Sequence, residues 1–370
     1  MGLEPTPLDP AALPAAVGKA LATPATRMMA ARGALPLAPG DLATALYQLG
    51  LDADPAVAEA ARASRDGLPE RVVLGIVSDA GLDPRVLDAF AGRCLQVPAL
   101  FDAMLLNPAL ADDTVVTLAE RGTDRQVDQL ATNEQRLLRA PAIIAAMYTN
   151  PRARMSTVDR AVELAVREHI RVPGLAAWDE IARALGGGSP ADDQVFAQAA
   201  GAVVGDEAAP ATSDDLELDD DGQVKAKEPV VDEAKVPINK MSIPAKIRLA
   251  TLGNSFARSM LIRDPSKLVA SAVIKSPGVT EMEAARYAGN HSLPEEVIKE
   301  IARRREWTKQ YPVKLTLVFN PKTPIAEASR FLPMLHERHL RQLARSKGVP
   351  SALVAQAKKL MMSRGGKNDK

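Results

Sequence analysis

Aromatic residues are scarce in this chain: 2 Trp, 4 Tyr and 6 Phe among 370 residues. β-Sandwiches and barrels fill their pleated faces with aromatic and β-branched side chains, so the composition argues against both. Cysteine occurs once, at Cys94, which excludes an internal disulfide framework and any Cys-rich zinc site. Charge-free runs are short; none exceeds the 12 residues between Arg139 and Arg152. A membrane-spanning helix needs roughly 18 or more apolar residues, so none is expected. The opening MGLEPTPLDP lacks a basic stretch followed by an apolar one, so no secretory signal is read there and a cytoplasmic location is expected.

The usual marks of catalysis are missing as well. Gly186-Gly187-Gly188 runs into Ser189-Pro190, and Gly365-Gly366-Lys367 runs into Asn368. Neither is a Gly-rich loop between strand and helix ending in Lys and Ser or Thr, so no phosphate loop is present. Serines are scattered without a nucleophile elbow, and no paired carboxylates stand out. His336 and His339 alone have a spacing that resembles metal ligands, i and i+3 on one expected helix. On a helical wheel His336 falls on the apolar side with Leu340 and Leu343, and His339 points away. A partly packed His beside a surface His is the plainer reading, and no metal or other cofactor is expected. Cys94 follows Arg93, which would lower a thiol pKa, but a buried structural thiol is the commoner case. The expectation is a protein that is not an enzyme.

What the chain does have is charge, unevenly placed. The total is zero, from 46 Lys+Arg and 46 Asp+Glu. From Met241 to Lys370 there are 24 basic and 10 acidic residues, a net +14, so residues 1–240 carry −14. Much of the negative charge lies between Asp206 and Glu233, where eleven acids face two lysines. That stretch has little periodic apolar pattern and cannot bury enough surface to offset ordering entropy. Residues 189–240 therefore read as a flexible acidic linker, with a short helix around Val195–Val204.

On either side the chain repeats. In the C-terminal part, Ser276-Pro-Gly-Val-Thr280, Asn290-His-Ser-Leu-Pro294, Asn320-Pro-Lys-Thr-Pro324 and Ser346-Lys-Gly-Val-Pro350 each precede helix-periodic apolar residues. Ser, Thr or Asn accepts from orphan N–H groups at a helix start, and proline costs little in the first turn. Further helices fit near Trp307–Phe319 and Met334–Arg345. In the N-terminal part, Leu68-Pro69, Leu82-Asp83-Pro84, Val97-Pro98, Asn107-Pro108 and Asn150-Pro151 open helical stretches. The spacing is about 14 residues, so a helix pair takes about 28. A short fixed period of amphipathic helices marks an α-solenoid, in which stacked neighbours bury faces that one unit cannot. Recurrent prolines rule out a coiled coil, because interior proline costs roughly 3 kcal/mol.

The Asn320-Pro-Lys-Thr-Pro unit, with Asn107-Pro and Asn150-Pro, resembles the leucine-rich-repeat-variant type of helical repeat. Ala45-Leu46-Tyr47-Gln48-Leu49 followed by Asp54-Pro55-Ala56-Val57-Ala58-Glu59-Ala60-Ala61 resembles a HEAT repeat, although such repeats commonly carry Arg where this chain has Ala58. The resemblance covers about 45–185 and 245–362 and implies a binding scaffold. The organisation expected is all-α. It comprises an N-terminal helical repeat domain over 1–188, an acidic flexible linker over 189–240, a basic helical repeat domain over 241–363 and a tail over 364–370.

The candidate partner-binding residues are basic. Arg303, Arg304 and Arg305 are consecutive, with Trp307 and Lys309 just beyond. Trp307 follows Arg303 by four residues, the helical spacing for a cation–π contact. Arg338, Arg341 and Arg345 form a narrow stripe at 100° per residue, and Lys347 extends it. A solvated, solubilising face is the plainer reading of these charges. The functional reading is a scaffold or adaptor that takes an acidic segment of another protein, with the chain's own acidic linker as a second occupant. Nucleic-acid binding through the basic C-terminal domain is the alternative; the neutral whole and the acidic linker count against it.

Overall fold

A computed structural model describes residues 2–185, 190–203, 217–218, 224–225 and 238–365. The chain divides into two compact units, Met1–Gly174 and Leu175–Lys370. Both are built from short helices. The strand content among the described residues is one antiparallel pair, Glu217–Leu218 with Val224–Lys225.

Part of the punctuation read from the sequence starts helices of the first unit, whereas Asn107-Pro108 and Asn150-Pro151, expected to open helices, lie in turns ahead of Asp112–Arg121 and Met155–Arg167. Asp54 and Asp83 each accept a backbone N–H two residues on, with Pro55 and Pro84 at the first helical position. Thr123 and Gln126 form a reciprocal capping box before Asp124–Ala131. The apolar faces then pack across the repeat. Glu70–Val77 buries Val73, Ile76 and Val77 and lies against Pro98–Leu105, which buries Leu100, Phe101 and Met104. Asp112–Arg121 packs on Ala142–Thr149, and Asp124–Ala131 on Met155–Arg167. A fully buried Ile, Leu or Phe contributes roughly 1.5–3 kcal/mol, which a helix this short could not gain alone.

The second unit follows the same plan. Ile243–Leu252 packs on Lys267–Lys275, which packs on Glu295–Arg303; Glu281–Gly289 packs on Tyr311–Phe319. Trp178–Ala184, grouped with the N-terminal repeats in the sequence reading, packs on Ile243–Leu252 and Lys267–Lys275 and belongs to this unit. Its Glu180 carboxylate is 2.9 Å from Lys275 Nζ. Pro190–Val203 is helical, overlapping the short helix expected at Val195–Val204. Val203 O accepts from Asn254 N at 2.9 Å, and Phe196 lies 4.4 Å beneath the buried guanidinium of Arg248. The acidic stretches 204–216, 219–223 and 226–237 lie outside the described residues, so the expected linker is described only at its helix and at the short strand pair.

The period of about 28 appears directly in the hydrogen bonds. Buried Asn107 donates through Nδ2 to the carbonyls of Val77 and Asp79. Asn150 does the same to Ala119 and Gly122, and Asn320 to Ala288. In each case the same amide oxygen accepts the N–H two residues on, at Ala109, Arg152 and Lys322. One side chain thus ends its own helix, turns the chain and satisfies otherwise orphaned carbonyls of the preceding repeat. Three residues after the turn the chain buries Leu82, Leu110, Val279, Leu293 or Val349. Each unit is therefore an all-α, repeat-like stack of short helices.

Candidate functional site

The Arg303–Lys309 cluster is not one continuous helix. Helix Glu295–Arg303 stops, Arg304 is extended at φ −74° and ψ 107°, and a new turn runs from Arg305 to Thr308. Pro312 then opens Tyr311–Phe319 from an extended Gln310. The break removes the i, i+4 geometry expected between Arg303 and Trp307. Arg304 takes that place instead, its guanidinium 4.3 Å from the indole centroid and its Nε 3.4 Å from Glu300 Oε1. Trp307 is only 5% exposed, so the half-buried Arg304, and not the ring, faces the surface. Arg303, Arg305 and Lys309 are exposed.

The second cluster keeps its helical geometry. Glu337–Arg345 buries Leu340 and Leu343, and Arg338, Arg341 and Arg345 are exposed. Arg341 pairs with Glu337 one turn back. Arg338 and Arg345 have no ion-pair partner among the described residues. The helix stops at Ser346, whose ψ is 138°, so exposed Lys347 sits on a turn and does not continue the stripe as expected. No hydrogen bond or ion pair joins the two clusters among the described residues.

Beside the stripe lies a groove of about 640 Å³ lined by Arg341, Ala344, Arg345, Lys358, Met361 and Met362. Helix Ser351–Gly365 forms its other wall. The sequence shows the basic end of this helix, but Met361 and Met362 carry no motif; only the packing of the last two helices puts them next to the arginines. Arg364 serves the fold, donating to the carbonyls of Leu335 and Pro333.

The histidines exchange the roles read from the helical wheel. His336 is the residue before the helix and is exposed; His339 is half-buried. Tyr311 Oη is 2.6 Å from His339 Nδ1 and accepts the His336 N–H at 3.0 Å. Desolvation, then the charges of Arg338 and His336, hold the His339 imidazole below its ordinary pKa. The wheel fails because the helix, expected from about Met334, begins only at Glu337, which leaves His336 outside it as the N-cap. Among the described residues no group of His, Cys, Asp and Glu could hold a metal ion. The Cys94 thiol is fully buried, and desolvation pushes it up to about 12, against the small opposite effect of Arg93.

The first unit has a cleft of about 490 Å³ whose carboxylates the sequence reading did not group: Asp9, Asp41, Asp79 and Asp83, with Arg85. Three of the four serve the backbone. Asp9 accepts from Ala11 N, Asp79 from Gly81 N and Asp83 from Arg85 N. Asp83 also holds the Arg85 guanidinium through both oxygens, which lowers its pKa. These are turn and cap groups that happen to converge.

No described helix is long and apolar enough to cross a membrane. No family model matches the chain, and no curated protein or solved structure matches it.

Proposed function

We propose that this protein is a non-catalytic scaffold, with HEAT-like or leucine-rich-repeat-variant helical repeats, that works in the cytoplasm and holds an acidic segment of another protein on the basic end of its second unit. The observation that carries the reading is Arg338, Arg341 and Arg345 displayed on one helix whose opposite face is sealed by Leu340 and Leu343. The leucines pack into the fold, while Arg338 and Arg345 have no ion-pair partner among the described residues. Helical repeats suit such a role because stacking presents long continuous surfaces. Arginine forks recognise carboxylates bidentately, which gives orientation as well as attraction.

The test compares the full chain with a variant carrying Arg338→Glu, Arg341→Glu and Arg345→Glu. Fluorescence anisotropy against labelled polyglutamate should show binding by the native protein and loss in the variant. The thermal melts should agree, since exposed substitutions usually change stability by about 0.5 kcal/mol or less. Equal binding by both proteins would reject the reading. Tighter binding to a short DNA duplex, with a steep logarithmic salt dependence, would favour a nucleic-acid partner instead.

A further inference from the structure

The geometry points to the groove between helices Glu337–Arg345 and Ser351–Gly365 as the place where the partner docks. We infer that its occupant is an acidic protein segment carrying leucine- or phenylalanine-sized side chains between its carboxylates. This rests on the scaffold reading above and adds the second half of the recognition, the apolar part.

Two observations together carry it. The groove is lined by three cations, two thioethers and Ala344, and no carboxylate is among its lining residues. Arg345 and Lys358 have no ion-pair partner among the described residues, so the positive rim is left for a ligand. Beside the cations, the groove is lined by thioether side chains that are open to solvent. Met362 is 79% accessible, the most exposed large apolar side chain among the described residues of the second unit.

The chemistry selects the class of partner. A phosphate backbone would use Arg341, Arg345 and Lys358 but leave the methionines in water. Bases bind by stacking on aromatic rings, and the groove has none. Methionine side chains are flexible and polarizable and adapt to varied apolar anchors on a bound helix. Burying Met362 under such an anchor adds an apolar gain that the arginine stripe alone cannot provide. Charge sets encounter and orientation, and the thioethers hold the segment.

The experiment uses the full chain and two labelled synthetic peptides of about 18 residues, about five helical turns. One carries glutamates with leucines at helical spacing; the other has serine for each leucine and the same charge. The leucine peptide should bind at least about tenfold more tightly. A protein with Met361→Ser and Met362→Ser should lose that preference and keep its affinity for the serine peptide. Lys358→Met should weaken both peptides, and it serves as the independent test if the double variant melts early. Equal binding of the two peptides to the native protein, or an undiminished leucine preference in a folded double variant, would overturn the groove and leave the basic-face scaffold standing. Binding of neither peptide at low salt would remove both.

Discussion

Arg258 and Glu283 stand 25 residues apart in the chain and meet as a doubly bonded pair inside the second unit. Arg258 Nε and Nη2 donate to the two carboxylate oxygens at 2.9 and 3.2 Å. Their side chains are 3% and 5% exposed, so both charges have left water. Such burial succeeds only when the remaining valences are filled. Here Nη1 donates to Gly253 O, Thr280 N–H donates to Glu283 Oε2, and the Tyr287 hydroxyl donates to Glu283 Oε1. Burial first, then the neighbouring carboxylate, raises the Tyr287 pKa.

Glu283→Gln should therefore destabilise severely, by about 3–5 kcal/mol, because a buried guanidinium loses its counter-charge. Urea unfolding should show a lower midpoint. A double change, Arg258→Met with Glu283→Leu, removes both charges together and should recover much of the loss. A single variant as stable as the native protein would show that the pair is not sealed in solution.

The asparagine ties make a second prediction. Asn150→Ala leaves the carbonyls of Ala119 and Gly122 without their donor and Arg152 N–H without its acceptor. Each unsatisfied buried group costs about 1–3 kcal/mol. Asn150→Asp should be at least as harmful, since a carboxylate would face two carbonyl oxygens. Denaturant midpoints of the two variants check this, and an exposed control such as Lys347→Ala should stay within about 0.5 kcal/mol.

His339 sets a pH dependence. Its folded pKa is lowered, chiefly by desolvation, while the unfolded side chain titrates near 6.5. Below about pH 6.5 the unfolded chain binds the proton more readily, so this group's contribution to stability is complete above that value. It is lost as pH falls from there through the folded pKa. Melting curves across about pH 5 to 8 should therefore show a slope that His339→Asn flattens. An unchanged slope in the variant would count against the assignment.

Cys94 should resist thiol reagents. A thiol raised to about 12 and fully buried supplies almost no thiolate at pH 8. Labelling of the native protein should be slow and should become rapid in denaturant. Fast labelling under native conditions would mean that the first unit opens easily around Cys94.

Much of the architecture was legible in the residues themselves. Asp-Pro marks helix starts because it answers local needs, orphan N–H groups and a preset φ, within a few residues. The 28-residue rhythm and the absence of strand-forming composition then imply repeat-like, all-α stacking. Which residues end up beside one another was decided by tertiary packing. The break at Arg304 exchanges Arg303 for Arg304 on Trp307, because an extended residue before a new turn ends the helical spacing. The late start of Glu337–Arg345 exchanges the two histidines. Met361 and Met362 meet the arginines only because the last two described helices lie side by side. A side chain's contacts across a repeat depend on the orientation of two helices, and no single stretch of sequence encodes that.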